Sequence, residues 1–160
     1  MGLIELDADD VVEAVKNWNP GPCFSESRCQ AALLRYLQVK FPRSTFKTEY
    51  AIGDGRADIY VEFRTRLGAG AKVIIELKFN LSDRSEYLRL LGQIQEYVGM
   101  STAEVVVVLC GDTKPGWAEQ IQSRLSTLVD GRWFYKAFVM TKPISARAQN
   151  GRFLPAQAQQ

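Results

Sequence analysis

The chain has no histidine among its 160 residues, and that absence removes more chemistry than any other feature of its composition. Without imidazole there is no Ser-His or Cys-His nucleophile of the usual form, and no side chain whose unperturbed pKa lies near neutrality. Catalysis would have to rest on carboxylates, lysine, tyrosine or a metal ion. Cysteine is scarce too: Cys23, Cys29 and Cys110 make an odd count with no C-x-x-C spacing, and no histidine can complete a zinc site. They read as reduced, structural thiols. No apolar run approaches the roughly 20 residues a spanning helix needs, and the longest, residues 105–110, has the length of a strand. The opening MGLIELDADD is acidic and lacks the basic n-region of a secretory signal, so the expected location is the cytoplasm. A net charge of +2 is only weakly basic and decides nothing about nucleic acid.

What is present suits one soluble domain with a single core: 46% hydrophobic and 24% charged residues, with no internal repeat. The expected organisation is one domain over residues 1–144, in which 1–22 form an N-terminal helix and linker and 23–142 the core. Residues 145–160, rich in Ala and Gln, read as a flexible tail.

Acids at the start of DADDVVEAVKNW, followed by Val11, Val12, Val15 and Trp18 at helical spacing, predict a first helix over 7–18. Ser25 is placed to cap a second helix running to Phe41, with Ala32, Leu33, Leu37 and Val39 among its apolar positions. The period then changes to two. FKTEYAI, a Gly-Asp-Gly turn at 53–55 and RADIYVEF predict a hairpin in which Ala57, Ile59, Val61 and Phe63 share a face. VIIELKFN (73–80) predicts a third strand antiparallel to the hairpin. Ser82 or Asp83 caps a helix to about Gly99, and AEVVVVLC reads as a strand covered on both faces. Pro115 at a first-turn position starts a helix to about Leu128, and RWFYKAFVM makes the last strand. The order α-α-β-β-β-α-β-α-β predicts an α/β protein whose mixed sheet is flanked by helices.

Within VIIELKFN, Glu76 and Lys78 project from one face of an otherwise apolar strand, where charge costs desolvation energy unless it is paired. On the preceding strand Asp58 lies opposite the apolar face, so it can share the face that carries Glu76. Two carboxylates converging from adjacent strands call for a cation. Oxygen ligands of this kind suit magnesium, with manganese able to substitute, rather than zinc. Such a site would orient a phosphate and activate water without histidine.

The pattern of Asp58, seventeen intervening residues, then Glu76-Leu77-Lys78 on consecutive strands, with Gln93 and Tyr97 on the next helix, resembles the PD-(D/E)XK nuclease superfamily. The resemblance covers about residues 26–109, the αβββαβ core of the restriction-endonuclease-like fold. Ala57 stands where the motif has Pro. The resemblance implies a magnesium-dependent hydrolase of phosphodiester bonds, with DNA the expected substrate. It makes Asp58 and Glu76 metal ligands together with the Leu77 carbonyl, and Lys78 the lysine that assists the nucleophilic water. It adds Glu26 on the first core helix and the Gln93–Tyr97 pair to the catalytic set. The same fold can instead serve as a catalytically silent nucleic-acid-binding or assembly module.

Around this set, Arg56 and Arg89 are candidate phosphate contacts. Glu49 and Glu62 read as solvated-face residues, and Asp54 and Gly55 as turn chemistry. Trp133, Phe134, Tyr135 and Phe138 read as core and sheet edge. A subunit this small covers little of a duplex, so cutting both strands would call for a homodimer or a larger complex.

Overall fold

Asp7 opens the first helix, α1 (Ala8–Asn17), through a reciprocal capping box with Asp10. The computed structural model describes residues 7–63, 70–131 and 136–144. Ser25 caps α2 (Glu26–Lys40) by accepting the Arg28 N–H, and Asp83 caps α3 (Arg84–Met100) by accepting the Glu86 N–H. Between α2 and α3 run the strands β1 (Thr45–Ile52), β2 (Gly55–Glu62) and β3 (Lys72–Phe79); β4 (Glu104–Cys110), α4 (Trp117–Val129) and β5 (Ala137–Lys142) follow α3. The element order is the expected one, and α2 to β4 give the expected αβββαβ succession.

Among the described residues the five strands form one sheet in the order β1-β2-β3-β4-β5. The first three are antiparallel neighbours, whereas β3, β4 and β5 are parallel, joined by crossovers through α3 and α4. The sheet is therefore mixed and covered on both faces. Val73, Ile75, Leu77, Val106 and Val108 pack with α1 and α2, while Ile74, Val105, Val107 and Leu109 pack with α3 and α4. Burial on both faces explains the apolar run of β4: every position from Val105 to Cys110 is buried.

Three expectations require correction. Val39 is 77% exposed; the buried stripe of α2 is Cys29, Leu33 and Leu37, and Val39 lies two residues, some 200°, round the helix from Leu37. Pro115 precedes its helix instead of opening it: Gly116, at φ +85°, is the N-cap and α4 begins at Trp117. Ala57 does not share a face with Ile59, Val61 and Phe63. It packs in the α3/α4 layer with Tyr60, and the other three pack with α1 and α2. The alternation of β2 slips at Asp58, for a reason that bears on the site. Trp133, Phe134, Tyr135 and the tail from 145 lie outside the described residues; Phe138 is half-buried against the α1/α2 layer.

Candidate active site

Asp58 is where the sheet comes apart. The β1–β2 ladder pairs Thr48 with Ile59 and Tyr50 with Ala57 but skips Asp58, and the β2–β3 ladder stops at Ile59 with Ile75. Opposite the skipped position, Glu49 holds a left-handed backbone at φ +50°, a conformation that crowds its Cβ. Asp58 thus has no strand partner on either side. Its carboxylate turns into the gap, where Oδ2 accepts the Leu77 N–H at 2.7 Å.

In an extended strand the N–H and C=O of one residue point to the same side. The Leu77 carbonyl therefore faces the same gap as its N–H. The side chains of Glu76 and Lys78 flank it: Lys78 Nζ lies 3.3 Å from Glu76 Oε1 and 3.5 Å from Glu26 Oε1. Asp58, Glu76 and Lys78 are the three buried charged or polar residues of the described chain, at 8%, 1% and 5% exposure. Glu26, at the first position of α2, is partly open to solvent.

The Tyr97 hydroxyl reaches the gap from the α3 side. It lies 2.7 Å from the Arg56 carbonyl and 3.0 Å from Glu76 Oε2. A phenol has one proton to donate, and a carbonyl only accepts. With Glu76 ionised the two acceptors compete for that proton; with Glu76 protonated, Tyr97 donates to Arg56 and accepts from Glu76. From the α2 side, the Gln30 side-chain amide donates to the Asp58 carbonyl at 3.1 Å.

Burial is the largest influence on both acids. It lifts the Asp58 carboxyl to about 6, against the pull of the Leu77 N–H and Lys78. Glu76 rises to about 7 through burial and then the Asp58 charge, with Lys78 and Tyr97 opposing. Burial works against the Lys78 ammonium as well, but Glu76, Glu26 and Asp58 outweigh it and hold its pKa above the ordinary value. Lys78 is a cation throughout the neutral range. One ammonium among these carboxylates leaves a negative excess inside the protein.

That donor set fits a hard divalent ion. Asp58, Glu76 and the Leu77 carbonyl supply oxygen only, and magnesium commonly uses one or two protein carboxylates while keeping several waters. No group of three or more acidic or thiol side chains among the described residues is arranged to hold a metal alone, so this would be a two-carboxylate centre.

The expected site residues fall into two groups. Asp58, Glu76, Leu77, Lys78, Glu26 and Tyr97 meet at the gap. Gln93 lies one turn before Tyr97 on α3, and its buried Oε1 has no hydrogen-bond partner among the described residues. Arg56 is exposed beside the site and contributes its carbonyl to Tyr97; Arg89 is exposed on α3. No hydrogen bond or ion pair among the described residues joins either guanidinium to Asp58, Glu76 or Lys78. Glu49 is exposed as expected, yet its charge adds to the rise of Asp58. Gln30 went unrecognised in the sequence; its i+4 spacing from Glu26, which puts both on one side of α2, was the available signal.

No family model matches the chain and no curated protein does. Among solved structures, Pyrococcus furiosus SfsA in complex with Ca2+ is similar at a TM-score of 0.42 and 10% identity, over 74% of this chain. The chain spans 65% of that protein's length. A likeness of this size carries no chemistry across, and the site stands on its own geometry. Fold and site together define an α/β protein with an αβββαβ core and a buried acid-acid-lysine cluster at a break in its sheet. No helix among the described residues is long and apolar enough to cross a membrane.

Proposed function

We propose that this protein is a metal-dependent nuclease that hydrolyses phosphodiester bonds, DNA in preference to RNA, with magnesium as the resident ion and manganese as a substitute. The observation that carries this reading is the burial of Asp58, Glu76 and Lys78 together at the break between β2 and β3. Burying two carboxylates and an ammonium costs desolvation energy, and a bound cation would offset it. Asp58, Glu76 and the Leu77 carbonyl would hold the ion, which when bound offers Lewis-acid stabilisation of a phosphate and a more acidic water.

The chain's own groups do the remainder. Lys78, kept protonated by Glu76 and Glu26, acts as a donor and not as a base: it orients the attacking water or neutralises a phosphate oxygen. Tyr97 fixes the rotamer of Glu76 from behind and ties it to the β2 backbone through Arg56. Glu26, at the solvent side, sets the position of the Lys78 ammonium. Gln93, placed one turn before Tyr97, presents near the same side of α3 an amide oxygen with no partner among the described residues. Arg56 and Arg89 contact backbone phosphates outside the buried cluster, and a second copy of the chain would complete cleavage of a duplex.

The test is incubation of purified protein with plasmid, linear duplex and single-stranded DNA and with RNA, in Mg2+, Mn2+ or EDTA. Cleavage is expected with metal, absent in EDTA, and reduced on the order of 100-fold or more in Asp58→Ala and Lys78→Ala. Cleavage that persists unchanged in both variants would show the activity to belong to a contaminant and would sink the proposal.

A further inference from the structure

Asp58 is the one residue of β2 with a partner in neither ladder, and its carbonyl accepts instead from Gln30 of α2. Gln30 follows Glu26 by one turn, so α2 touches the site twice. Glu26 engages the Lys78 ammonium, and Gln30 engages the main chain of Asp58. The two contacts differ in kind: the first is an ion pair partly open to solvent, and the second replaces a missing strand bond.

The gap needs such a replacement. The natural tendency of two adjacent antiparallel strands is to continue pairing, which here would bring the Asp58 and Glu76 backbones together. Continued pairing would close the space that the Asp58 carboxylate occupies and give the Leu77 N–H a different partner. The Asp58 carbonyl would ordinarily pair on the β1 side, where the ladder skips Glu49, and Gln30 satisfies it from outside the sheet, which holds the Asp58 peptide out of the ladder.

We propose that Gln30 is a positioning residue, whose side-chain amide fixes the unpaired Asp58 peptide so that the carboxylate, the Leu77 N–H and the Leu77 carbonyl meet in one gap. This rests on the metal-centre reading above for its functional consequence, though not for its structural one. Loss of the amide frees the Asp58 peptide, loosens the Asp58–Leu77 bond and misplaces one of the two carboxylates. Supporting residues around a metal centre commonly change metal affinity by about 10- to 100-fold when removed.

The experiment compares the full chain with Gln30→Met, which has similar length and helix propensity but no donor. Gln30→Asn accompanies it, with an amide one methylene short. In metal-free protein, the Leu77 amide is followed by NMR shift and hydrogen exchange. Both variants are expected to lose about 10-fold or more of Leu77 protection, while their melting temperatures stay near wild type. Mn2+ titration is expected to show affinity weakened about 10-fold or more, with kcat reduced and KM for DNA little changed. Wild-type protection of Leu77 in Gln30→Asn, or in a folded Gln30→Met, would overturn the proposal. The metal-free amide readout decides it even if wild-type protein binds no Mn2+, in which case the metal-centre reading alone has failed.

Discussion

Replacing Asp58 by Asn should make the metal-free protein more stable while destroying its proposed use. Asp58 is 8% exposed, and burial lifts its carboxyl from 3.8 to about 6. At pH 7.5 the group is ionised both folded and unfolded, so folding carries the whole penalty of burying the charge. About two pKa units at ~1.4 kcal/mol each give roughly 3 kcal/mol. Asn keeps the size of the side chain and an oxygen that can accept the Leu77 N–H, but it has no charge to desolvate. Lys78 loses one of its three neighbouring anions, which takes back part of the gain. The expected net is a stabilisation of about 1–3 kcal/mol at pH 7.5, measured by urea unfolding in EDTA. The sign is set by linkage: a carboxyl whose folded pKa is raised contributes stability at low pH that is lost as pH rises through about 6. The advantage of Asn should therefore shrink as pH falls from 6 towards 4. An Asp58→Asn protein that is less stable than wild type at pH 7.5, or whose advantage does not depend on pH, would refute this account of the buried charge.

Other substitutions probe the same gap. Glu49→Gly should stabilise the metal-free chain by about 1 kcal/mol in urea unfolding, since it relieves the φ +50° backbone and removes an anion acting on Asp58. Tyr97→Phe should cost about 1–3 kcal/mol, because the fully buried phenol serves the Arg56 carbonyl and Glu76 at once; unchanged stability would contradict those bonds. Lys78→Met leaves Glu76 and Glu26 without their shared cation, so the Glu76 carboxyl should titrate above its present value of about 7 in a carbon-detected NMR titration.

The parts of this protein that were legible in its sequence are those encoded by local chemistry. Asp7, Ser25 and Asp83 each mark a helix start through their own side-chain bond to the backbone, and such bonds need nothing distant. The alternation in VIIELKFN placed Leu77 in the core and Glu76 and Lys78 together, because period two is a property of any strand. Ala57 escaped that logic. Its face is decided by the slip at Asp58, which involves Glu49 on β1, Gln30 on α2 and Leu77 on β3, residues brought together only by the tertiary fold. Glu49 has no glycine or asparagine signature to announce a left-handed backbone. Val39 misled because an apolar residue near a helix end was counted without its angle from Leu37. Pro115 misled because proline suits the turn before a helix as readily as its first position.

The central claim is that Asp58 and Glu76 are two walls of one metal centre. Anomalous diffraction from crystals soaked in millimolar Mn2+ tests it most directly. The account predicts a manganese peak in contact with both carboxylates and the Leu77 carbonyl, lost in Asp58→Asn. Well-occupied manganese elsewhere on the protein, with Asp58 still bonded to the Leu77 N–H and no density between it and Glu76, would contradict it.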